Sequence, residues 1–267
     1  MDIHPTVSAL AVPAVAVVGL SAPIAVVWLA LVTLPRAGRN TRTDVICGLG
    51  CGLIAAGAAS LLGLAVDRVI GATESQRLTL YVPMFEEPLK ALAIVVTIGV
   101  AAALRGAALP AWRCAVATLT VVAAFAASEN LDHLSSLFIA GGVSLGDGAT
   151  IMETLRVRAV LPPLGHLAET WPVAAAIWLA SRRPAGRLPV LLSGLCTAVA
   201  CHALWNASAL RWWPDLWPLL TIVAVSAGAA ILCWVAATRW QRRERELAAA
   251  AAPEPAPARP RQPVGQP

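Results

Sequence analysis

Lysine is all but missing from this chain: of its 20 basic residues only Lys90 is lysine, and the other 19 are arginine. Charge as a whole is scarce at 13%, aromatic residues make up 5%, and there are four histidines. So few charges cannot clothe a water-soluble domain, which excludes the soluble globular classes. The net charge of +5 is no sign of a nucleic-acid partner, because the arginines lie mostly between apolar runs, where they set membrane topology. The six cysteines (Cys47, Cys51, Cys114, Cys196, Cys201, Cys233) fall within or beside apolar runs and read as packing residues, not as a disulfide framework.

What is present is apolar sequence, 58% of the chain. It predicts an all-α polytopic bundle of about seven spans, with the lipid bilayer as its surroundings. The runs are Val7–Leu34, Asp44–Val66, Leu78–Leu104, Ala111–Asn130, Ala159–Ala180, Leu188–Leu210 and Asp215–Thr238. Gly48-x-x-x-Gly52 offers a small-residue face for close helix packing. The stretch from Leu131 to Arg158 reads as a long connection, with a short re-entrant or interfacial segment near 131–148. Residues 1–240 form one integral membrane domain, and 241–267 read as a disordered Ala/Pro-rich tail. Counted along the chain, with Arg113 assigned to the third, the inter-run segments hold 3, 2, 2, 2, 3 and 1 arginines and the tail holds 6. By the positive-inside rule the N-terminus is expected outside and the tail in the cytoplasm of a multi-pass cell-membrane protein.

One run breaks the pattern. Phe85-Glu86-Glu87-Pro88-Leu89-Lys90 puts two carboxylates and the single lysine inside an otherwise apolar span. A charge at a span centre costs roughly 2.5–3.5 kcal/mol on insertion scales, so such groups face protein or water and mark functional sites. Glu86 and Lys90, four apart, share a helix face and can pair. At 1.5 Å rise per residue, Glu86 and Glu87 lie roughly 10–12 Å from the outer surface, and His166 and His202 about 12 Å. Asn206 lies about 6 Å deep, and Glu129 near the outer end of its run. Four spans thus deliver ionisable groups and an amide to one layer, as a shared cavity requires and independent ion pairs do not. Such a set can activate water and stabilise an oxyanion, or bind a divalent metal that does so.

In order, Glu86-Glu87-x-x-Lys90, Phe125-x-x-x-Glu129-Asn130, His166 and His202-x-x-x-Asn206 resemble the motifs of the PrsW family of intramembrane proteases, over about Leu78 to Asn206. That family shares a superfamily with the CAAX prenyl endopeptidases and bacteriocin-protection proteins. The CAAX branch carries Glu-Glu-x-x-x-Arg and Phe-x-x-x-His instead, so Lys90 and Glu129 side with PrsW. The resemblance implies an endopeptidase acting on a membrane-protein substrate near the outer leaflet, regulated cleavage of an anti-sigma factor being one such role. It implies Glu86 as general base oriented with His166, Glu87 and Lys90 as the groups that hold the site, and His202 with Asn206 as oxyanion donors. A divalent metal such as zinc, on Glu86, His166 and His202, stays open, since a His-Glu-x-x-His spacing is absent. The competing readings are a CAAX-processing or bacteriocin-protection-like protease, an ion- or proton-coupled transporter, and a non-catalytic membrane scaffold.

Overall fold

The computed structural model describes residues 39–106, 109–139, 148–182 and 185–212, with single positions at 235, 239, 242 and 246. The described residues are helical, with no strand among them. The long helices are α1 (Arg39–Ile70), α3 (Val82–Ala103), α4 (Ala111–Ile139), α5 (Gly148–Ser181) and α6 (Arg187–Trp212). A one-turn α2 (Glu74–Gln76) and a π-helical turn (Arg77–Tyr81) lead into α3. Three segments are long and apolar enough to cross a membrane: Arg42–Ile70, Arg113–His133 and Arg187–Ala207. The 22-residue α3 has the length too, but it carries Glu86, Glu87 and Lys90. The runs Val7–Leu34 and Asp215–Thr238 lie outside the described residues, apart from Val235.

The packing is inverted relative to a soluble bundle. The outer face of α1 carries Ile46, Leu53, Ile54, Leu61, Leu64 and Val69, all exposed, as suits lipid. Its inner face carries Val45, Ala55 and Ala56. Gly48 and Gly52 let this face close on α4: a Cβ at Gly48 would collide with the Thr120 hydroxyl, and one at Gly52 with the Val121 carbonyl. The expected small-residue contact is therefore an α1–α4 crossing. Ile94, Val121, Phe125, Val173, Ile177 and Ala198 continue the core through α3, α4, α5 and α6.

One end of the bundle is tied by charge. Arg105, just past α3, lies 2.6 Å from Asp44 of α1, and Arg113 at the start of α4 lies 3.6 Å from the same carboxylate. Arg182 at the end of α5 donates to the Leu109 carbonyl at 2.8 Å. The site lies toward the other end.

At two places the described helices differ in detail from the sequence reading. Residues 131–139 form no separate re-entrant segment, because α4 runs through Glu129-Asn130 to Ile139, and 148–158 belong to α5. Leu131, Leu134 and Phe138 continue the helical spacing with no breaker before Gly141-Gly142, so the polar pair alone does not end the helix. Arg242 and Glu246, within the presumed disordered tail, are helical and paired at 3.0 Å. That spacing suits a helix, and the rest of the tail lies outside the described residues.

Candidate active site

The entry into α3 is locally irregular. The N–H of Val82 bonds the Arg77 carbonyl, closing the π turn. The next bond of that series needs the N–H of residue 83, but Pro83 has none, which orphans the Leu78 carbonyl. Asn206 of α6 fills this gap, its Nδ2 donating to Leu78 O at 2.8 Å. The amide expected to face an oxyanion is thus engaged in holding the π turn against α6. Pro88 removes a second helix donor one residue past Glu87. Such π turns recur beside functional sites.

Just beyond this irregularity the polar side chains of four helices meet. Glu86, Glu87 and Lys90 come from α3, Glu129 from α4, His166, Glu169 and Thr170 from α5, and His202 from α6. Lys90 is at the centre, wholly buried: its Nζ is 2.7 Å from Glu87 Oε1, 3.2 Å from Glu86 Oε2 and 3.1 Å from His166 Nδ1. It also lies 4.4 Å from the centroid of the Phe125 ring, a cation–π contact that helps to seat a buried ammonium. Phe125 meets His166 edge-on, with centroids 5.7 Å apart.

Glu87 is fully satisfied. Its Oε1 accepts from Lys90 and from His202 Nδ1 at 2.9 Å, and its Oε2 from Thr170 Oγ1 at 3.0 Å. Because a carboxylate accepts only, this fixes the His202 proton on Nδ1 and leaves Nε2 directed toward Glu86, 4.0 Å from its Oε2. His166 Nε2 meets Glu129 Oε2 at 2.5 Å. Lys90 has only protons to offer, so its bond makes His166 Nδ1 the acceptor and puts the ring proton on Nε2, toward Glu129.

Glu169, one turn past His166, was outside the expected site, and so was Thr170. Glu169 is buried, with Oε2 3.6 Å from His166 Nδ1 and 3.7 Å from His202 Nδ1. A carboxylate inside an apolar span is itself a signal of function, one that the missing motif match masked. Thr170 gave no signal, since a threonine in a helix usually bonds its own backbone.

Two groups have the donor sets and proximity to hold a metal: Glu86, Glu129 and His166, and Glu87, Glu169 and His202, with ligand atoms in each within 4.8 Å of one another. Glu129 thus stands with Glu86 and His166 where the sequence suggested His202, because Glu87 draws His202 into the inner group. Of the two, the outer group fits a cation. Glu86 Oε2 is buried and accepts no hydrogen bond despite lying near Lys90, whereas Glu87 has three donors to lose. The outer group is also the reachable one: the side chains of Glu129 and Glu86 are 34% and 13% exposed, and that of Glu87 is 0%.

A family model described as PrsW family intramembrane metalloprotease matches residues 41–243, a stretch that contains every residue of this cluster. No curated protein and no solved structure matches the chain.

Proposed function

The chain belongs to the PrsW family of intramembrane metalloproteases, and from that premise we propose that it hydrolyses a peptide bond of a membrane-protein substrate beside Glu86, Glu129 and His166. Membership makes it a membrane-embedded peptidase and sets the carrier and scaffold readings aside. The observation that carries the proposal is the contrast between Glu87, whose oxygens are taken by Lys90, Thr170 and His202, and Glu86, whose Oε2 pairs with Lys90 at 3.2 Å but accepts no hydrogen bond and lies in the more exposed group.

In this reading Glu86, Glu129 and His166 hold a divalent cation, zinc being one that suits two carboxylates and an imidazole. When bound, such a cation supplies Lewis acidity toward the scissile carbonyl and a more acidic water. His202 supplies the base. Its Nδ1 proton is held by Glu87, so Nε2 keeps a lone pair on the Glu86 side and can take a proton from water there. Glu86, expected as the base, becomes a ligand. Lys90 neutralises the inner carboxylates and keeps the α3 turn in register with α5. Asn206 acts as a positioning residue through Leu78. The bundle is oriented with its N-terminus outside, which places hydrolysis in the outer half of the bilayer. Regulated cleavage of an anti-sigma factor falls within this substrate class.

The test is cleavage of single-span substrates in proteoliposomes by wild type and Glu86→Gln at matched abundance. Turnover is expected to fall at least ~10²-fold in the variant. Near-wild-type cleavage by Glu86→Gln would remove Glu86 from the chemistry.

A further inference from the structure

We infer that Glu169 is a positioning residue for the cation site: it accepts the Nδ1 proton of His166 and so frees Nε2 of that ring to bind a cation beside Glu86 and Glu129. The inference rests on the site reading above and adds to it a residue that the motifs did not contain.

The geometry around Nδ1 is what carries it. That nitrogen has two neighbours of opposite character, Lys90 Nζ at 3.1 Å and Glu169 Oε2 at 3.6 Å. Lysine can only donate to it, and a carboxylate can only accept from it. Bonded to Lys90, the ring carries its proton on Nε2, facing Glu129, and has no lone pair there for a cation. With the proton moved to Nδ1 and given to Glu169, the Nε2 lone pair faces Glu86 and Glu129. The proton count is the same in both states; only the tautomer changes. Metal-binding imidazoles commonly give their second N–H to a carboxylate, which fixes the ring and strengthens the ligand.

Glu169 lies between the two imidazoles, its Oε2 also 3.7 Å from Nδ1 of His202, whose proton is already held by Glu87 at 2.9 Å. It is 2% exposed, and neither of its oxygens accepts a hydrogen bond among the described residues. A buried carboxylate whose partners stand 3.6 and 3.7 Å away recovers little of its desolvation cost from them. Retained for stability, the position would carry an apolar side chain. Lys90 retains Glu87 at 2.7 Å as a partner when it releases Nδ1.

The test uses the purified full chain in detergent and zinc ion as the probe. Titration against a competing chelator should give Glu169→Leu a zinc affinity ~10–100-fold weaker than wild type. Its cation-free thermal midpoint should be unchanged or higher, the opposite of what a structural role requires. Independently of any variant at 169, ¹⁵N-histidine spectra of wild type should show zinc moving the His166 ring proton from Nε2 to Nδ1, the signals assigned with His166→Gln. Wild-type zinc affinity in Glu169→Leu, or a zinc-bound His166 still protonated on Nε2, overturns the inference. In either case loss of zinc by Glu86→Gln leaves the site reading standing. A wild type that binds no zinc overturns both.

Discussion

Nδ1 of His202 lies 2.9 Å from Oε1 of Glu87, a bond across 115 residues of sequence that joins α6 to α3. The same oxygen accepts from Lys90 at 2.7 Å, so one buried carboxylate sets the orientation of both the imidazole and the ammonium. In the proposed reading Glu87 and Lys90 hold the site together, and the outer group with Nε2 of His202 is left for chemistry.

Glu87→Gln tests that division. It leaves Lys90 buried without its closest carboxylate, with Glu86 at 3.2 Å as the remaining ion pair, and breaking a buried pair costs ~3–5 kcal/mol. Thermal unfolding in detergent should show a loss of that size, with reduced membrane abundance. Unchanged stability would show that Glu87 does not hold Lys90.

Asn206→Ala separates positioning from oxyanion binding. Loss of this part-buried bond to Leu78 O should lower stability by ~0.5–1.5 kcal/mol. Cleavage at matched folded protein should fall less than ~10²-fold, short of the ~10²–10³ expected when an oxyanion donor is removed. A catalytic loss in that upper range with stability intact would return Asn206 to the reacting centre.

The α1–α4 crossing can be tested by adding one methyl group. A Cβ at Gly52 meets the Val121 backbone, which cannot move aside cheaply, so Gly52→Ala should destabilise by ~1–3 kcal/mol. At Gly57 a Cβ meets nothing within 4 Å, and Gly57→Ala should be neutral or stabilising by up to ~1 kcal/mol. Equal effects at the two positions would contradict the close approach.

Orientation is read by accessibility. Single cysteines at Gly71 and Gly186, in a background without native cysteines, should label from outside and from the cytoplasm respectively. The reverse pattern would invert the placement of the site across the bilayer.

Much of this was legible in the sequence, for identifiable reasons. An ionisable residue in an apolar run is conspicuous, so Glu86, Glu87, Lys90, Glu129, His166 and His202 could be named, and the structure gathers all six. Which carboxylate pairs with which imidazole could not be read, because it depends on helix rotation: Glu87 takes His202, and Glu129 takes His166. The contact that Asn206 makes was hidden for another reason. Its partner carbonyl is orphaned only because a π turn meets Pro83, a backbone detail that no spacing announces. The end of α4 was misplaced because Glu129-Asn130 looks like a terminus, yet its polarity is met by His166 inside the bundle.

The most direct measurement is the cation dependence of cleavage itself. Protein stripped with a strong chelator is reconstituted with a single-span substrate and titrated with zinc. Cleavage should be absent without cation and return at about one equivalent in wild type, and Glu129→Gln should need at least ~10-fold more zinc. Full cleavage by the stripped wild type, or identical titrations for wild type and Glu129→Gln, would contradict a cation held by Glu86, Glu129 and His166.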